Sequence, residues 1–367
     1  MKAYLAMTIT TTHHLIRDLV AQAPFLQPLD LFAHIAEYDF SDDTHLYNFA
    51  NDAPTRRMVA RVLGTLAREG RIAEGDVIPI MSKLLSVRGF YGTYCQMMVY
   101  AWMQENNIDF NAEVWIPGAG LINENDVALD GRFNATDALF EVKAMGIQNK
   151  LKSDFIEKLK PHFPGHVILV DGRDDSAFSD IADKALSKTR EIAKALQHQN
   201  HVEIEGLGWI VRKEPHGKTL YTSTTEFDPY LFAEQNQLFA YRHCSQFVLG
   251  HPFILVCVYS GDFGSSVLTT NFEGMRDVAL RALARRSFIA FSGNPEKAHH
   301  YDPKAGPGHT LGDACAALSG ILFLKAKSFD ANLYLNPNAR HPVTPDGLGR
   351  IFHATRMRID DFSHDNY

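Results

Sequence analysis

The chain has 367 residues, of which 46% are hydrophobic and 22% are charged. These proportions are typical of a folded globular protein and exclude a disordered or fibrous chain. The formal net charge of −7 at pH 7 excludes a uniformly basic surface that would bind nucleic acid indiscriminately. The four cysteines are widely spaced and form no C-x-x-C pair, so the composition favours a reducing compartment over a zinc knuckle or redox dithiol.

The N-terminal segment lacks the apolar run of a signal peptide, and no stretch reaches the roughly 18 consecutive apolar residues of a membrane span. We therefore expect a cytoplasmic protein that does not interact with membranes.

Hydrophobic periodicity predicts a helical N-terminal region over residues 1–88, most clearly at 54–70, where Thr55 would cap a helix and Gly70 would end it. In chain order, the next predicted elements are a helix at 92–106, strands at 110–116, 126–130 and 138–144, a helix at 147–162 and a strand at 166–171. The last of these reads as a strand buried on both faces.

Downstream, the pattern predicts a helix at 176–199, a hairpin at 209–224, a helix at 229–249, a buried strand at 253–259, and helices at 274–286 and 311–324. The sum is an α/β protein with three regions. These are the helical N-terminal region at 1–88, an α/β domain at 89–290 and a C-terminal extension at 291–367.

Acidic and basic residues cluster in the predicted hairpin. Alternation along a strand places Glu141 and Lys143 on the same face. A six-residue turn would bring Asp126 opposite Glu141, and we slightly prefer this register; a tighter turn over 134–137 would bring Asp130 there instead. Either register places two carboxylates and one ammonium group at the rim of a sheet.

Two adjacent carboxylates repel each other, and a divalent cation between them removes the conflict. Mg²⁺, or alternatively Mn²⁺, would leave coordination positions open for water and a phosphate oxygen. Lys143 could then orient the attacking water or stabilise charge that develops on the phosphate. With 16 Glu and 16 Lys, about 0.7 Glu-x-Lys triplets are expected by chance, so only the strand context makes this one informative.

In their order of helix, three strands, helix and strand, residues 89–171 resemble the PD-(D/E)XK, or restriction-endonuclease-like, nuclease superfamily. The resemblance implies an αβββαβ core with a mixed sheet, and a metal-dependent nuclease. Glu141 and an upstream aspartate would be metal ligands, and Lys143 would be catalytic. Many members carry a glutamate in the first helix; Gln96 stands there in this chain, which would support the site but weaken a second metal site.

The expected function is therefore that of a Mg²⁺-dependent DNA endonuclease of restriction or phage-defence type. A homodimer is one expected assembly, because cutting both strands of a duplex needs two active sites. Lys150, Lys152 and Lys158 could contact the phosphate backbone, although the solvated face of an amphipathic helix explains them nearly as well.

Two alternatives stay open. In the first, the same fold binds nucleic acid without cutting it, and Glu141 and Lys143 form an exposed face with cross-strand charge pairs. In the second, the chain is a nuclease toxin of a bacterial competition system, because the spacing from Asp130 to Lys143 also resembles toxins of the restriction-endonuclease fold.

Overall fold

The structure is a computed structural model that describes residues 53–84, 89–145, 148–173, 181–215, 225–260 and 273–365. Two compact units divide the chain. The first contains the described residues up to Ala144 together with Tyr241–Val258 and Phe291–Tyr367, and the second contains Met145–Ala240 and Tyr259–Ala290. No helix among the described residues is long and apolar enough to cross a membrane.

The α-helices of the described residues are α1 (Ala53–Arg68), α2 (Glu74–Leu84), α3 (Phe90–Glu105), α4 (Gln148–Leu159), α5 (Thr189–His198), α6 (Pro229–Asn236), α7 (Glu273–Ile289), α8 (Leu311–Ala317) and α9 (Pro345–Phe352). The strands are β1 (Phe110–Ile116), β2 (Val127–Phe133), β3 (Leu139–Ala144), β4 (His166–Arg173), β5 (His201–Ile204), β6 (Trp209–Pro215), β7 (Thr225–Glu226), β8 (Phe253–Tyr259), β9 (Gly320–Lys325), β10 (Ala331–Leu335) and β11 (Arg358–Asp360).

Helix α1 forms because its apolar side chains recur at helical spacing, and Val59, Val62 and Leu66 are fully buried. The backbone of Gly70 is left-handed (φ +68°), which ends the helix as predicted. The predicted cap at Thr55 is wrong, because the helix already begins at Ala53. Residues 1–52 and 85–88 of the predicted N-terminal region lie outside the described residues.

A mixed seven-stranded sheet forms the centre of the first unit, with the strand order β1-β2-β3-β8-β9-β10-β11. Strands β1, β2 and β3 form an antiparallel meander. Strand β8 lies parallel to β3 and is buried at every position, as its continuous apolar run predicts. The predicted α/β class is therefore confirmed.

Residues 166–171 lie in a strand as predicted, but the predicted burial on both faces and the place of this strand in the αβββαβ core are wrong. Strand β4 belongs to a separate four-stranded sheet of the second unit, ordered β5-β6-β4-β7, and does not join β3. Its burial alternates, since Ile168 and Val170 are buried whereas Val167 and Leu169 are half-buried. The buried residues pack in a core with Phe155 of α4 and other side chains of the second unit. The strand parallel to β3 is β8 instead.

Strand β6 pairs with β5 and β4, so the hairpin predicted over 209–224 does not form between β6 and β7; residues 216–224 lie outside the described residues. The helix predicted over 229–249 ends at Asn236 as α6.

The C-terminal region is part of the main sheet and not a separate extension, because β9, β10 and β11 continue it. The helix predicted over 311–324 ends at Ala317, and β9 follows. Asn336 explains this end, because its Nδ2 donates to the carbonyls of Cys315 (2.8 Å) and Leu318 (2.7 Å). The two-unit division thus differs from the three predicted regions.

A substitution at Gly131 can test how tightly β2 is packed. A Cβ atom at this position would lie 2.4 Å from Phe140 and 2.6 Å from the carbonyl oxygen of Asn111. We expect Gly131→Ala to lower the free energy of unfolding in urea by about 1–3 kcal/mol. Gly92→Ala is the control, because no atom lies within 4 Å of that Cβ and alanine favours the helix by about 0.5–1 kcal/mol. Equal stabilities for the two variants would contradict this packing.

Candidate active site

Strands β2 and β3 are neighbours in the main sheet, but they pair over only part of their length. Their backbone pairing is limited to Gly131 with Phe140 and Arg132 with Leu139. At the next position along the strands, that of Asp130 and Glu141, hydrogen bonds from the backbone to side chains replace the backbone-to-backbone hydrogen bonds. The N–H of Asp130 donates to Glu141 Oε2 (3.1 Å), and the N–H of Val142 donates to Asp130 Oδ2 (2.6 Å). Each carboxylate thus occupies the place of a carbonyl on the opposite strand, which fixes the two acids between β2 and β3.

This register settles which aspartate faces Glu141. The turn spans residues 134–137, so Asp130 and not Asp126 lies opposite Glu141. The preferred six-residue turn is wrong because β2 continues to Phe133 before the chain reverses. Asp126 precedes β2, is exposed, and accepts a hydrogen bond from the N–H of Gly118 (2.9 Å).

A third carboxylate, Glu113 of β1, lies beside Asp130. Its neighbours Ala112 and Val114 pair with Gly131 and Leu129 of β2, which brackets Asp130. The backbone of Glu113 is left-handed (φ +51°), a conformation that is uncommon for residues other than glycine and often marks functional sites.

Gln96 of α3 joins two of these acids. Its Nε2 donates to Glu113 Oε1 (2.6 Å) and Asp130 Oδ1 (2.7 Å), and it also lies 2.9 Å from the hydroxyl of Tyr100. That hydroxyl donates to the carbonyl oxygen of Asp130 (2.6 Å). An amide has two hydrogens and no charge, so it can hold two carboxylates where a glutamate would add repulsion. Gln96 therefore contacts two of the acids, and its predicted support of a metal site stays a prediction.

Glu141 is 5% exposed and receives two donors on one oxygen. Lys143 Nζ and Gln246 Nε2 each lie 2.7 Å from its Oε1. The predicted pairing of Glu141 and Lys143 on one face is confirmed. Their side chains are however not an exposed strand face, since only 6% and 22% of them are accessible.

The site contains three carboxyl groups and one lysine. The pKa values of Asp130, Glu113 and Lys143 are shifted from their ordinary values. Burial, and then the neighbouring Glu141 carboxylate, raise the pKa of Asp130 well above its ordinary value, although Lys143 and the N–H of Val142 oppose the rise. Burial also raises the pKa of Glu113, although Gln96 stabilises its charged form. Burial lowers the pKa of Lys143, but Glu141 and Asp130 outweigh this effect, and the net change is a rise. The lysine is thus charged, whereas Asp130 and Glu113 hold their protons more tightly than free carboxyl groups do.

The three predicted nucleic-acid-binding lysines belong to α4, in the second unit. Lys158 is exposed, and Lys152 Nζ lies 5.5 Å from the centre of the Trp209 ring. The side chain of Lys150 lies outside what the structure describes. Their contact with a phosphate backbone stays a prediction.

Sequence reasoning missed Glu113, Tyr100 and Gln246. Glu113 could have been found, because it is an acid in the predicted strand that precedes the hairpin, at a position able to face the same point. Gln246 carried no such signal, since it lies 105 residues from Glu141 in a short 3₁₀ turn before β8.

The donors gathered at this point are carboxylate oxygens, which suit a hard cation. Within the described part of the chain, however, no three His, Cys, Asp or Glu side chains form a group that could hold a metal ion. Comparisons with protein-family models, curated proteins and solved structures give no match to this chain.

The raised pKa of Asp130 predicts a pH effect on stability. The folded state binds this proton more tightly than the unfolded state. The contribution is therefore full below the ordinary pKa of 3.8 and is lost as the pH rises through the raised value. We expect the free energy of unfolding of the wild type, relative to that of Asp130→Asn, to fall as the pH rises from about 4 and to level off above the raised pKa.

Asparagine can still accept the bond from Val142, so the variant should fold. Urea unfolding across this pH range measures the difference, and Glu113→Gln should show a change of the same sign. A difference that stays constant with pH would contradict the account.

Proposed function

We propose that this chain is a divalent-metal-dependent nuclease that hydrolyses phosphodiester bonds, with DNA as its substrate. The observation that carries the proposal is the pair of fixed carboxylates, Asp130 and Glu141, with the charged Lys143 beside them. Two carboxylates held this close repel each other when both are ionised, and a cation between them removes that repulsion. An ammonium group next to that cation is suited to phosphate chemistry.

The order of elements supports a restriction-endonuclease-like core. Helix α3 is followed by the antiparallel meander β1-β2-β3, and β8 lies parallel to β3. The resemblance to PD-(D/E)XK nucleases implies three antiparallel strands and a further strand parallel to the third. In the sequence, residues 145–240 of the second unit lie between β3 and β8, the fourth strand of this core. Asp130 and Glu141 then stand on β2 and β3, the second and third strands of this core.

The donor set fits Mg²⁺ or Mn²⁺ in its chemistry, because Asp130 and Glu141 offer only oxygen atoms. These two residues would hold the ion, and Glu113 would add negative charge nearby. When bound, the metal supplies a Lewis acid and lowers the pKa of a coordinated water. Its positive charge would also favour the ionised form of Asp130, whose pKa is raised by burial and then by the neighbouring Glu141.

Hydrolysis forms one P–O bond from water and breaks one ester P–O bond, while one proton leaves the water and one reaches the departing alkoxide. Lys143 can donate a hydrogen bond to the attacking water or to a phosphate oxygen, because its ammonium has three hydrogens and Glu141 accepts one. Gln96 keeps Glu113 and Asp130 in place without adding charge. Gln246 keeps Glu141 aimed at the same point.

A nucleic-acid-binding module without cleavage is the second candidate. Lys143 already neutralises Glu141 at 2.7 Å, and no group of three metal-ligating side chains occurs among the described residues. Such a site could bind a phosphate chain through Lys143 alone. The restriction, phage-defence and toxin settings, the homodimer and the cytoplasmic location remain predictions from the sequence.

Cleavage assays test the first candidate and separate the two aspartates. We expect the purified full chain to cut plasmid DNA in Mg²⁺ or Mn²⁺ and not in EDTA. Asp130→Asn, Glu141→Gln and Lys143→Ala should each lose at least about 100-fold in rate. Asp126→Asn should stay within a few-fold of wild type, because its carboxylate bonds to Gly118 and not to the pair.

The assay includes linear duplex DNA, single-stranded DNA and RNA, so that a substrate other than duplex DNA is detected. Loss of activity in Asp126→Asn with retention in Asp130→Asn would overturn the assignment. Binding without cleavage of any substrate, unchanged in folded Glu141→Gln, would favour the binding module.

A further inference from the structure

The indole ring of Trp115 is unusually exposed to solvent. Its exposed fraction is 71%, the largest among the exposed large hydrophobic side chains of the described residues. The other two tryptophans of the chain, Trp102 and Trp209, are 2% and 1% exposed. Tryptophan is normally largely buried, so an indole ring left in water points to something that covers it.

The ring belongs to the same strand as Glu113. Trp115 lies two residues beyond it on β1 and pairs with Ala128 of β2, which precedes Asp130 by two residues. Side chains two apart on a strand share a face, so Trp115 and Asp130 lie on one face of the sheet. Two residues along a strand span about 6.8 Å, and adjacent strands lie about 4.8 Å apart. The indole is therefore a close neighbour of the acids.

We infer that Trp115 stacks on an unpaired base next to the phosphodiester bond at the site, so that the substrate is single-stranded there. This inference rests on the proposed function. Stacking on an aromatic side chain tolerates any base sequence, because every base has a flat face. Within a duplex both faces of a base are covered by its neighbours, so the base must be unpaired or turned out of the helix.

Charge on the same face suits a nucleotide chain. Arg132 is exposed and follows Asp130 by two residues on β2. Its guanidinium can pair with a phosphate oxygen on the side of the acids away from the indole. Along this face the indole of Trp115 comes first, the acids come next and the guanidinium of Arg132 comes last. In a bound nucleotide chain these groups would face a base, the reacting phosphate and the next phosphate, respectively.

A second protein chain added along β1 is the competing occupant, because β1 is one of the two edge strands of the main sheet among the described residues. Two observations oppose it. The N–H of Ala112 already donates to the carbonyl of Arg71 (3.0 Å), and the left-handed backbone at Glu113 interrupts the extended strand. Both features obstruct pairing at an exposed edge.

Tryptophan fluorescence provides a direct test, because Trp115 is the one solvent-exposed indole of the chain. The full-length protein is titrated in EDTA, where no metal supports cleavage, with a single-stranded oligonucleotide and with a duplex of equal length. Anisotropy of a dye-labelled oligonucleotide gives the affinity independently. Trp115→Ala and Trp115→Phe are compared with Tyr230→Ala, which removes another exposed aromatic ring (67%).

We expect the single strand to quench the wild-type fluorescence and the duplex to quench it less. Trp115→Ala should weaken binding of the single strand by about 5- to 150-fold, Trp115→Phe should retain most of it, and Tyr230→Ala should not change it. If Trp115→Ala still binds and cuts nucleic acid, and the single strand does not quench the fluorescence of the wild type, the role of Trp115 is wrong while the proposed function stands. A Trp115→Ala variant that only turns a dimer into a monomer would overturn it in favour of a protein partner. Failure to bind or cut any nucleic acid would overturn the proposed function as well.

Discussion

The site depends on the exchange of hydrogen bonds between Asp130 and the strand that faces it. The Asp130 carboxylate accepts the N–H of Val142, and Glu141 accepts the N–H of Asp130. The backbone ladder between β2 and β3 stops there, so the two acids occupy the gap between these strands. Strand β8, buried throughout, pairs with β3 on the side away from β2.

Charge balance explains the remaining side chains of the site. Three acids are held by neutral Gln96 and Gln246 and by a single cation, Lys143. Buried carboxylates without enough compensation bind protons more tightly, which the raised pKa of Asp130 shows. This arrangement is the reason that we propose a divalent cation at the site and phosphodiesters as its substrates.

Much of this was accessible from the sequence, because local patterns determine local structure. The apolar run at 253–259 and the alternating run at 110–116 gave strands with the predicted bounds. The choice between Asp126 and Asp130 was not accessible, since both turns were compatible with the residues of the hairpin. Nor could the pattern show that β8 and not β4 lies beside β3, because strand partners far apart in sequence are chosen by tertiary packing. Gln246 was hidden for the same reason.

Calorimetric titration of the metal-free chain with Mn²⁺ tests the central claim, that Asp130 and Glu141 together bind a divalent cation. The account predicts binding heat for the wild type and for Asp126→Asn, and its loss in Asp130→Asn and Glu141→Gln at the same protein concentration. Gln96→Leu should weaken binding without abolishing it, because the acids would remain but lose their shared donor. Equal heats in the wild type and Asp130→Asn, or no binding to the folded wild type, would contradict the account.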